Sequence, residues 1–174
     1  KILYQKNMLV FAAETSCDET SICLMENNFI IEHITFSQEI HKIHGGVVPE
    51  LASRSHLEKI QIMTNELFSR KNIDPNEIDV FSATCGPGLI GSLLVGSTFT
   101  KSLSISFQKP FIPINHLEGH ILSTSFNNDI KFPSVVLLLT GGHTQVYLMK
   151  DEHNIELLGQ SVDDAIGAVS YTHL

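Results

Sequence analysis

The sequence predicts an α/β fold that contains the same strand unit twice. Short apolar runs typical of strands, a helical pattern between them and a recurring strand order support this prediction. Val10 and Met25 lie in the first two strands of one copy, and Val136 and Met149 take the matching places in the other. A strand–polar turn–strand–strand unit that recurs indicates internal duplication, with each copy beginning a domain.

The first copy lies near the start of the chain. The run MLVFAA, from Met8, predicts a buried strand that ends at the polar turn ETSCDET. SICLM and FIIEHITFS predict two further strands, and the turn residues ENN separate them. Runs of this length with polar boundaries are typical of strands.

Helices and strands alternate after the first copy. Apolar positions recur at helical spacing from Pro49 to Lys71, and NIDPNEID then supplies turn residues. The positions of that spacing are Leu51, Leu57, Ile60, Thr64 and Leu67. VFSATC predicts a strand, GPGLIGSLLVGSTFTKSLSIS a glycine turn and a helix, and PFIPIN a strand that leads to His116. Such alternation favours a partly parallel sheet.

The second copy begins at SVVLLL and continues through QVYLM and IELLGQS, with TGGHT as its first turn. We predict a first domain over residues 8–125 and the start of a second domain over residues 134–167. The junction is expected in FNNDIKFP, between them. Residues 1–7 and 168–174 are predicted to be non-native or disordered.

Composition limits the classes of protein that fit. Hydrophobic residues make up 43% of the 174 residues and charged residues 17%, which describes a chain able to bury a core. No apolar run approaches the ~20 residues that cross a bilayer, and no secretory signal opens the chain. We therefore expect no membrane association. Three cysteines without a C-x-x-C pair favour reduced thiols and a cytoplasmic location.

A net charge of −8 argues against a free-standing nucleic-acid-binding protein. A local basic patch could still bind a polyanion. The residues that could form such a patch lie on the helix predicted from Pro49 to Lys71. They are Arg54, Lys59, Arg70 and Lys71. The favoured interpretation of these four residues is an ordinary solvated helix face.

The stretch HLEGH places His116 and His120 one helical turn apart, so the two imidazoles can share one metal ion. Nitrogen and oxygen ligands favour iron or zinc, whereas the alternative is a pair of capping or packed histidines. A zinc-protease site would need its glutamate directly after the first histidine, but Glu118 comes one place too late.

Two glycine patterns and one acidic turn are further candidates. CGPGLIG matches a dinucleotide fingerprint, but the expected ribose-binding acid is missing, so we prefer close helix packing at Gly88, Gly91 and Gly96. In TGGHT, two glycines can bring backbone N–H groups close to a phosphate or carboxylate. In ETSCDET, Glu14 and Asp18 are either site acids or solvated turn residues.

Six stretches together resemble one family, the tRNA N6-adenosine threonylcarbamoyltransferases of the bacterial or organellar branch, formerly labelled glycoproteases. They are ETSCDETS, GGVVPELASRSHLEKI, GPGLIGSLLVG, NHLEGHIL, LLTGGHTQVYLM and LLGQSVDDAIG. The resemblance runs from about Met8 to Gly167. It implies a duplicated actin/Hsp70-like fold, with the first domain complete and the second truncated.

The resemblance also implies a reaction. Family members move a threonylcarbamoyl group from its adenylate to N6 of the adenosine that follows the anticodon, in tRNAs reading codons that begin with A. His116 and His120 match the metal ligands, for one iron or zinc ion per subunit. The substrate loop matches Leu138, Leu139, Thr140, Gly141 and Gly142, with Glu14, Asp18 and His143 as additional candidates. No side-chain nucleophile is required.

The implied partners are tRNA, threonylcarbamoyl-adenylate, a paralogous dimer partner and a P-loop ATPase. The chain departs from the family at two places: His44 replaces the usual tyrosine, and AVSYTHL follows Gly167 where the family has Glu-Ala-Phe-Asp-Lys. The chain as it stands is therefore expected to be inactive. The alternatives are a non-catalytic scaffold of the same fold, a metallopeptidase and a dinucleotide-dependent oxidoreductase.

Overall fold

Five strands form one mixed sheet in the first part of the chain, in the order β3-β2-β1-β4-β5. They are β1 (Leu9–Glu14), β2 (Glu19–Glu26), β3 (Phe29–Ser37), β4 (Val80–Gly86) and β5 (Phe111–Asn115). The computed structural model describes residues 7–126 and 129–167. β1 pairs antiparallel with β2 and β2 with β3, whereas β1, β4 and β5 run parallel. The partly parallel sheet predicted from the sequence is confirmed.

Two helices connect these strands. Helix α1 (Pro49–Lys71) begins with proline at its first turn and ends at Asn72, which takes the left-handed conformation of a C-cap. Helix α2 (Ile90–Ser106) follows the glycine turn after β4. Both helices contact the sheet, and the buried core contains Phe11, Leu24, Ile60, Leu67 and Phe81.

The buried face of α1 differs from the predicted one at Leu57. This side chain is 67% exposed, and the neighbouring His56 is fully buried. Ile60, Thr64 and Leu67 lie on the buried face as their spacing predicts. The inclusion of Leu57 was wrong because hydropathy ranks leucine above histidine, whereas hydrogen bonds to the His56 ring satisfy its polar atoms inside the protein.

The chain divides into two compact units, Lys1–His116 and Leu117–Leu174. Helix α3 (His116–Ser123) begins at the last residue of the first unit. The second unit contains an antiparallel sheet in the order β6-β7-β8, formed by Ser134–Leu139, Thr144–Asp151 and Asn154–Gln160. The predicted junction at residues 126–133 lies further along the chain than this division. The domain limits stay predictions, and of the two predicted non-native ends only Asn7 lies within the described residues.

Both units contain the predicted repeat, a three-strand antiparallel meander. In the first unit Glu14 pairs with Ser21 across the turn, and in the second Leu139 pairs with Thr144 across a shorter one. The repeated strand order is therefore confirmed. Within the described part of the chain, no helix is both long and apolar enough to cross a membrane.

Glycines of the turn and helix that follow β4 allow close packing against the end of β1. A Cβ atom at Gly88 would lie 2.7 Å from the Ser16 carbonyl oxygen, and one at Gly96 would lie 2.3 Å from the Thr15 hydroxyl oxygen. At Gly91 the nearest atom is the Ser53 Cβ, 3.2 Å away. These distances support the close-packing interpretation of the glycine pattern.

We predict that Gly96→Ala destabilises the fold by about 1–3 kcal/mol, because the added methyl group overlaps the buried Thr15 side chain. Denaturant unfolding at neutral pH measures this change. Gly91→Ala is the matched control on the same helix, and its better helix propensity offsets a mild contact with Ser53. Equal destabilisation of the two variants would contradict the packing argument.

Candidate functional site

The carboxyl ends of three parallel strands lie at one edge of the first sheet. Glu14 is the last residue of β1, β4 ends at Gly86, and His116 directly follows β5. Because parallel strands share direction, the residues that follow them meet at that edge, where α/β sheets usually bind ligands. This topology brings together residues that lie about a hundred positions apart in the sequence.

His116 contacts the polar turn after β1 through its Nδ1 atom. That atom lies 3.5 Å from a Glu14 carboxylate oxygen and 3.3 Å from the Ser16 hydroxyl oxygen. A carboxylate only accepts, so contact with it favours the tautomer in which Nδ1 carries the proton. In that tautomer the ring's lone pair is on Nε2. The sequence pointed to Glu14 but missed Ser16, because a serine in a polar turn has no distinguishing pattern.

The Glu14 carboxylate is partly buried and well supplied with donors. Burial raises its pKa, but hydrogen bonds with His116 and Ser16 outweigh burial, and the net pKa lies below the usual value. The Ser16 backbone N–H donates to the same carboxylate at 2.8 Å. Glu14 therefore presents a negative charge to the His116 ring at neutral pH.

His120 lies one helical turn after His116 on α3, the spacing at which two side chains share a helix face. Glu118 lies between the two histidines. Burial raises the pKa of Tyr147, and the charge of Glu118 adds to this effect. Among residues 7–126 and 129–167, no three His, Cys, Asp or Glu side chains gather where an ion would bind. His116 and His120 therefore remain the candidate metal ligands predicted from the sequence, and imidazole nitrogens are donors that suit iron or zinc.

The TGGHT turn between β6 and β7 is organised by Thr140. Its hydroxyl oxygen accepts the backbone N–H groups of Gly142, at 3.3 Å, and of His143, at 3.0 Å. The Thr140 N–H donates to the His143 carbonyl at 2.8 Å. Leu138 is buried and Leu139 half exposed, so the two side chains of the predicted loop face opposite sides of β6.

Neither glycine of this turn is required by packing among the described residues. A Cβ atom built on Gly141 or Gly142 would meet nothing within 4 Å, and neither glycine has a positive φ angle. Gly167 differs, because its Cβ would lie 2.4 Å from the Thr140 carbonyl oxygen. A cavity of about 60 Å³ adjoins the turn, lined by Gly142, His143, Gln145, Gln160, Ser161 and Asp163 among others.

The basic residues of α1 are occupied by local contacts. Arg54 pairs with Glu50, Arg70 with Glu66, and Lys71 with Glu32 at 3.2 Å. Lys59 lies over the Phe36 ring, with its nitrogen 4.8 Å from the ring centre. These contacts support the interpretation of a solvated helix face.

The helices, the mixed sheet and the duplicated strand unit give the fold class, an α/β fold of the actin/Hsp70-like type. The likeness to solved structures supports this class. YeaZ from Pseudomonas aeruginosa matches with a TM-score of 0.59 and 13% identity, over 88% of this chain and 66% of that one. A PPX-GPPA enzyme from Aquifex aeolicus matches with a TM-score of 0.52 and 14% identity, over 95% of this chain and 55% of that one.

Sequence comparison gives the family. The family model described as tRNA N6-adenosine threonylcarbamoyltransferase matches residues 29–171. The enzyme of that name from Fervidobacterium nodosum is 48% identical over 92% of this chain and 48% of its own length. The Onion yellows phytoplasma enzyme is 43% identical over 93% of this chain and 70% of its own length. The chain belongs to the tRNA N6-adenosine threonylcarbamoyltransferase family, and it spans about half the length of most of the curated relatives it matches.

We predict that the Cys17 thiol, in the same turn as Glu14 and Ser16, reacts slowly with iodoacetamide although the residue is exposed overall. Burial of the sulfur and the charges of Asp18 and Glu14 raise its pKa to about 11 from 9.0. At pH 7.5 the rate should be about a hundredfold below that of a thiol with the ordinary pKa, and it should rise tenfold per pH unit towards pH 11. Mass spectrometry of the alkylated peptide measures the rate.

Asp18→Asn should speed this alkylation, because it removes one of the charges that disfavour the thiolate. Glu26→Gln, at the far end of β2, is the matched control and should leave the rate unchanged. A rate that levels off near pH 9 would contradict the raised pKa.

Proposed function

We propose that the intact protein transfers a threonylcarbamoyl group from threonylcarbamoyl-adenylate to N6 of the adenosine that follows the anticodon, in tRNAs reading codons that begin with A. Family membership is the single observation that carries this proposal, since the match to enzymes of that name covers 92% of this chain. The product is threonylcarbamoyladenosine in tRNA, and AMP leaves.

His116 and His120 are proposed as two ligands of one iron or zinc ion. Their spacing on α3 suits a shared ion, and the Glu14 contact supports the tautomer whose Nε2 lone pair a metal takes. A ligating histidine usually donates its other N–H to a carboxylate or carbonyl, and Glu14 fills that role here. Any further ligand would come from the remainder of the intact protein.

Glu14 and Ser16 would orient the His116 ring. The carboxylate holds the Nδ1 proton, and its negative charge raises the basicity of the opposite nitrogen. The Ser16 hydroxyl makes a second contact with the same atom, so rotation of the ring would break two interactions. Asp18 and His143 remain additional candidates for substrate contacts.

The turn at Leu138–Gly142 is proposed to hold the acyl-adenylate through its backbone. The absence of packing on Gly141 and Gly142 supports this role, because a glycine that neither packing nor φ requires leaves room for a ligand to approach the main chain. Thr140 fixes the shape of the turn by accepting two of its N–H groups. Leu138 and Leu139, the last two residues of β6, connect the turn to the sheet.

The chemistry needs positioning more than a protein nucleophile. The adenosine N6 attacks the carbamoyl carbon, a C–N bond forms, the C–O bond to the phosphate of AMP breaks, and N6 loses a proton. A bound iron or zinc ion would supply Lewis-acid polarisation of an acyl or phosphate oxygen. The protein's own contribution would be to orient the reactants and to stabilise developing charge with fixed donors.

A paralogous dimer partner and a P-loop ATPase are proposed as accessory proteins, as the family resemblance implies. The cytoplasm, where tRNA is available, is the proposed location. A non-catalytic scaffold of the same fold is the alternative, and the presence of both histidines argues against it. The metallopeptidase alternative lacks a glutamate directly after His116.

We predict that the intact protein holds about one iron or zinc ion per chain, and that His116→Ala or His120→Ala removes most of it. Each substitution deletes one of the few protein ligands of the ion. Elemental analysis of purified, folded protein measures the metal content. His153→Ala, in the exposed turn between β7 and β8, is the control and should retain the metal. Unchanged metal in both α3 variants would remove these histidines from the site.

We predict that Gly142→Ala lowers transfer to tRNA roughly 10- to 100-fold while leaving thermal stability unchanged, because a Cβ there meets no atom of residues 7–126 or 129–167 but enters the space proposed for substrate. Incorporation of labelled threonine into tRNA measures the transfer. Gly159→Ala, on β8, also meets nothing within 4 Å and is the matched control. Full activity of Gly142→Ala would exclude close substrate approach at this turn.

A further inference from the structure

The turn that contains Glu14 and Ser16, both in contact with His116, forms hydrogen bonds with residues of two helices. From α2 and the residue before it, the Ser92 carbonyl accepts from the Thr15 hydroxyl at 2.7 Å, and the Leu89 N–H donates to the Ser16 carbonyl at 2.8 Å. The Gln38 N–H donates to the Asp18 carbonyl at 3.1 Å, and α1 adds a contact through His56. No part of the proposed chemistry uses this buried histidine.

His56 is fully buried, and its Nε2 atom lies 3.0 Å from the Cys17 carbonyl oxygen. A carbonyl oxygen only accepts, so Nε2 carries the proton and donates it to this bond. The Nδ1 atom then has a lone pair, and the Thr20 hydroxyl lies 2.7 Å from it as donor. Burial lowers the pKa of His56, so the ring stays neutral in this one tautomer. The Ser92 hydroxyl makes a longer contact, 3.4 Å, with the same Cys17 carbonyl.

Two further side chains hold the His56 ring in place. The Gln38 amide nitrogen lies 3.2 Å from His56 Nδ1 and donates to the Ala52 carbonyl at 3.3 Å. The Gln38 side-chain oxygen accepts from His41 Nε2 at 2.8 Å, and His41 Nδ1 accepts from the Val48 N–H at 3.3 Å. From Val48 through His41 to Gln38 each donor faces an acceptor, whereas the Gln38 nitrogen lies 3.4 Å from His56 Nε2 as well and so contacts both ring nitrogens.

We propose that His56 is a positioning residue for the turn Glu14–Asp18: by holding the Cys17 carbonyl it directs Glu14 and Ser16 towards His116. Because the acceptor of the His56 N–H is the main chain of this turn, the position of the buried ring and that of the Cys17 carbonyl are coupled. The importance of orienting His116 rests on the proposed function. The effect of His56 on the turn can be measured independently of that function.

Three variants of the intact protein test this proposal. His56→Leu keeps the approximate volume but removes the donor. His56→Gln keeps an N–H near the position of Nε2 and should restore the bond to Cys17. Thr20→Val keeps His56 and removes only the donor to Nδ1, so it is the milder variant if His56→Leu does not fold.

Hydrogen exchange of single amides is the first measurement. In His56→Leu the Ser16 and Leu89 amides, whose bonds define the turn, should exchange about tenfold faster or more, as expected for loss of one buried hydrogen bond. The Phe81 amide, bonded to the Pro110 carbonyl away from this turn, should be unchanged. His56→Gln should restore the slow exchange, and Thr20→Val should give an intermediate rate.

The ¹⁵N shifts of the His116 ring are the second measurement. The shift of Nδ1 should move away from its protonated, hydrogen-bonded value in His56→Leu and return in His56→Gln. Equal loss of protection at Ser16, Leu89 and Phe81 would show a purely structural role and overturn the proposal, as would an unchanged His116 ring in a variant whose turn has loosened. Because neither measurement requires tRNA or metal, failure here is distinct from failure of the transfer reaction.

Discussion

The parallel pairing of β1 with β4 and of β4 with β5 is the constraint on which the rest of the first unit depends. It brings the end of β1 and the start of α3 to one edge of the sheet, so that Glu14 and Ser16 meet His116. An antiparallel arrangement of β5 would place His116 at the opposite edge. The buried core of Phe11 and Phe81, on two adjacent strands, fixes the register that keeps these strand ends level.

Most of the fold could be predicted from periodicity and turn chemistry. The bounds of β3 and α1 agree with the patterns in the sequence, because an Asn-containing turn precedes β3 and Asn72 caps the end of α1. His56 shows where such reasoning fails. Its burial depends on partners from β2 and from the segment after β3, and no pattern within α1 reveals that a hydroxyl and an amide will be in reach.

The candidate site could be predicted in part for a related reason. The spacing of His116 and His120 is local, so the sequence shows it directly. The contact of Ser16 with His116 is non-local and depends on strand order. The glycines also fall into two groups. Close approach to Ser16 and Thr15 explains why glycine is needed at Gly88 and Gly96. The two glycines of the TGGHT turn have no such neighbours among the described residues.

The raised pKa of the Cys17 thiol affects how readily this edge of the sheet is oxidised. Peroxides oxidise thiolates far faster than thiols, so a sulfur whose pKa is raised by burial and by the nearby Asp18 and Glu14 charges is converted slowly to sulfenic acid. Glu14, which contacts His116, therefore also helps to protect this cysteine from oxidative damage. Replacing either acid with a neutral residue would make the thiol more readily oxidised, although burial would still hold its pKa up.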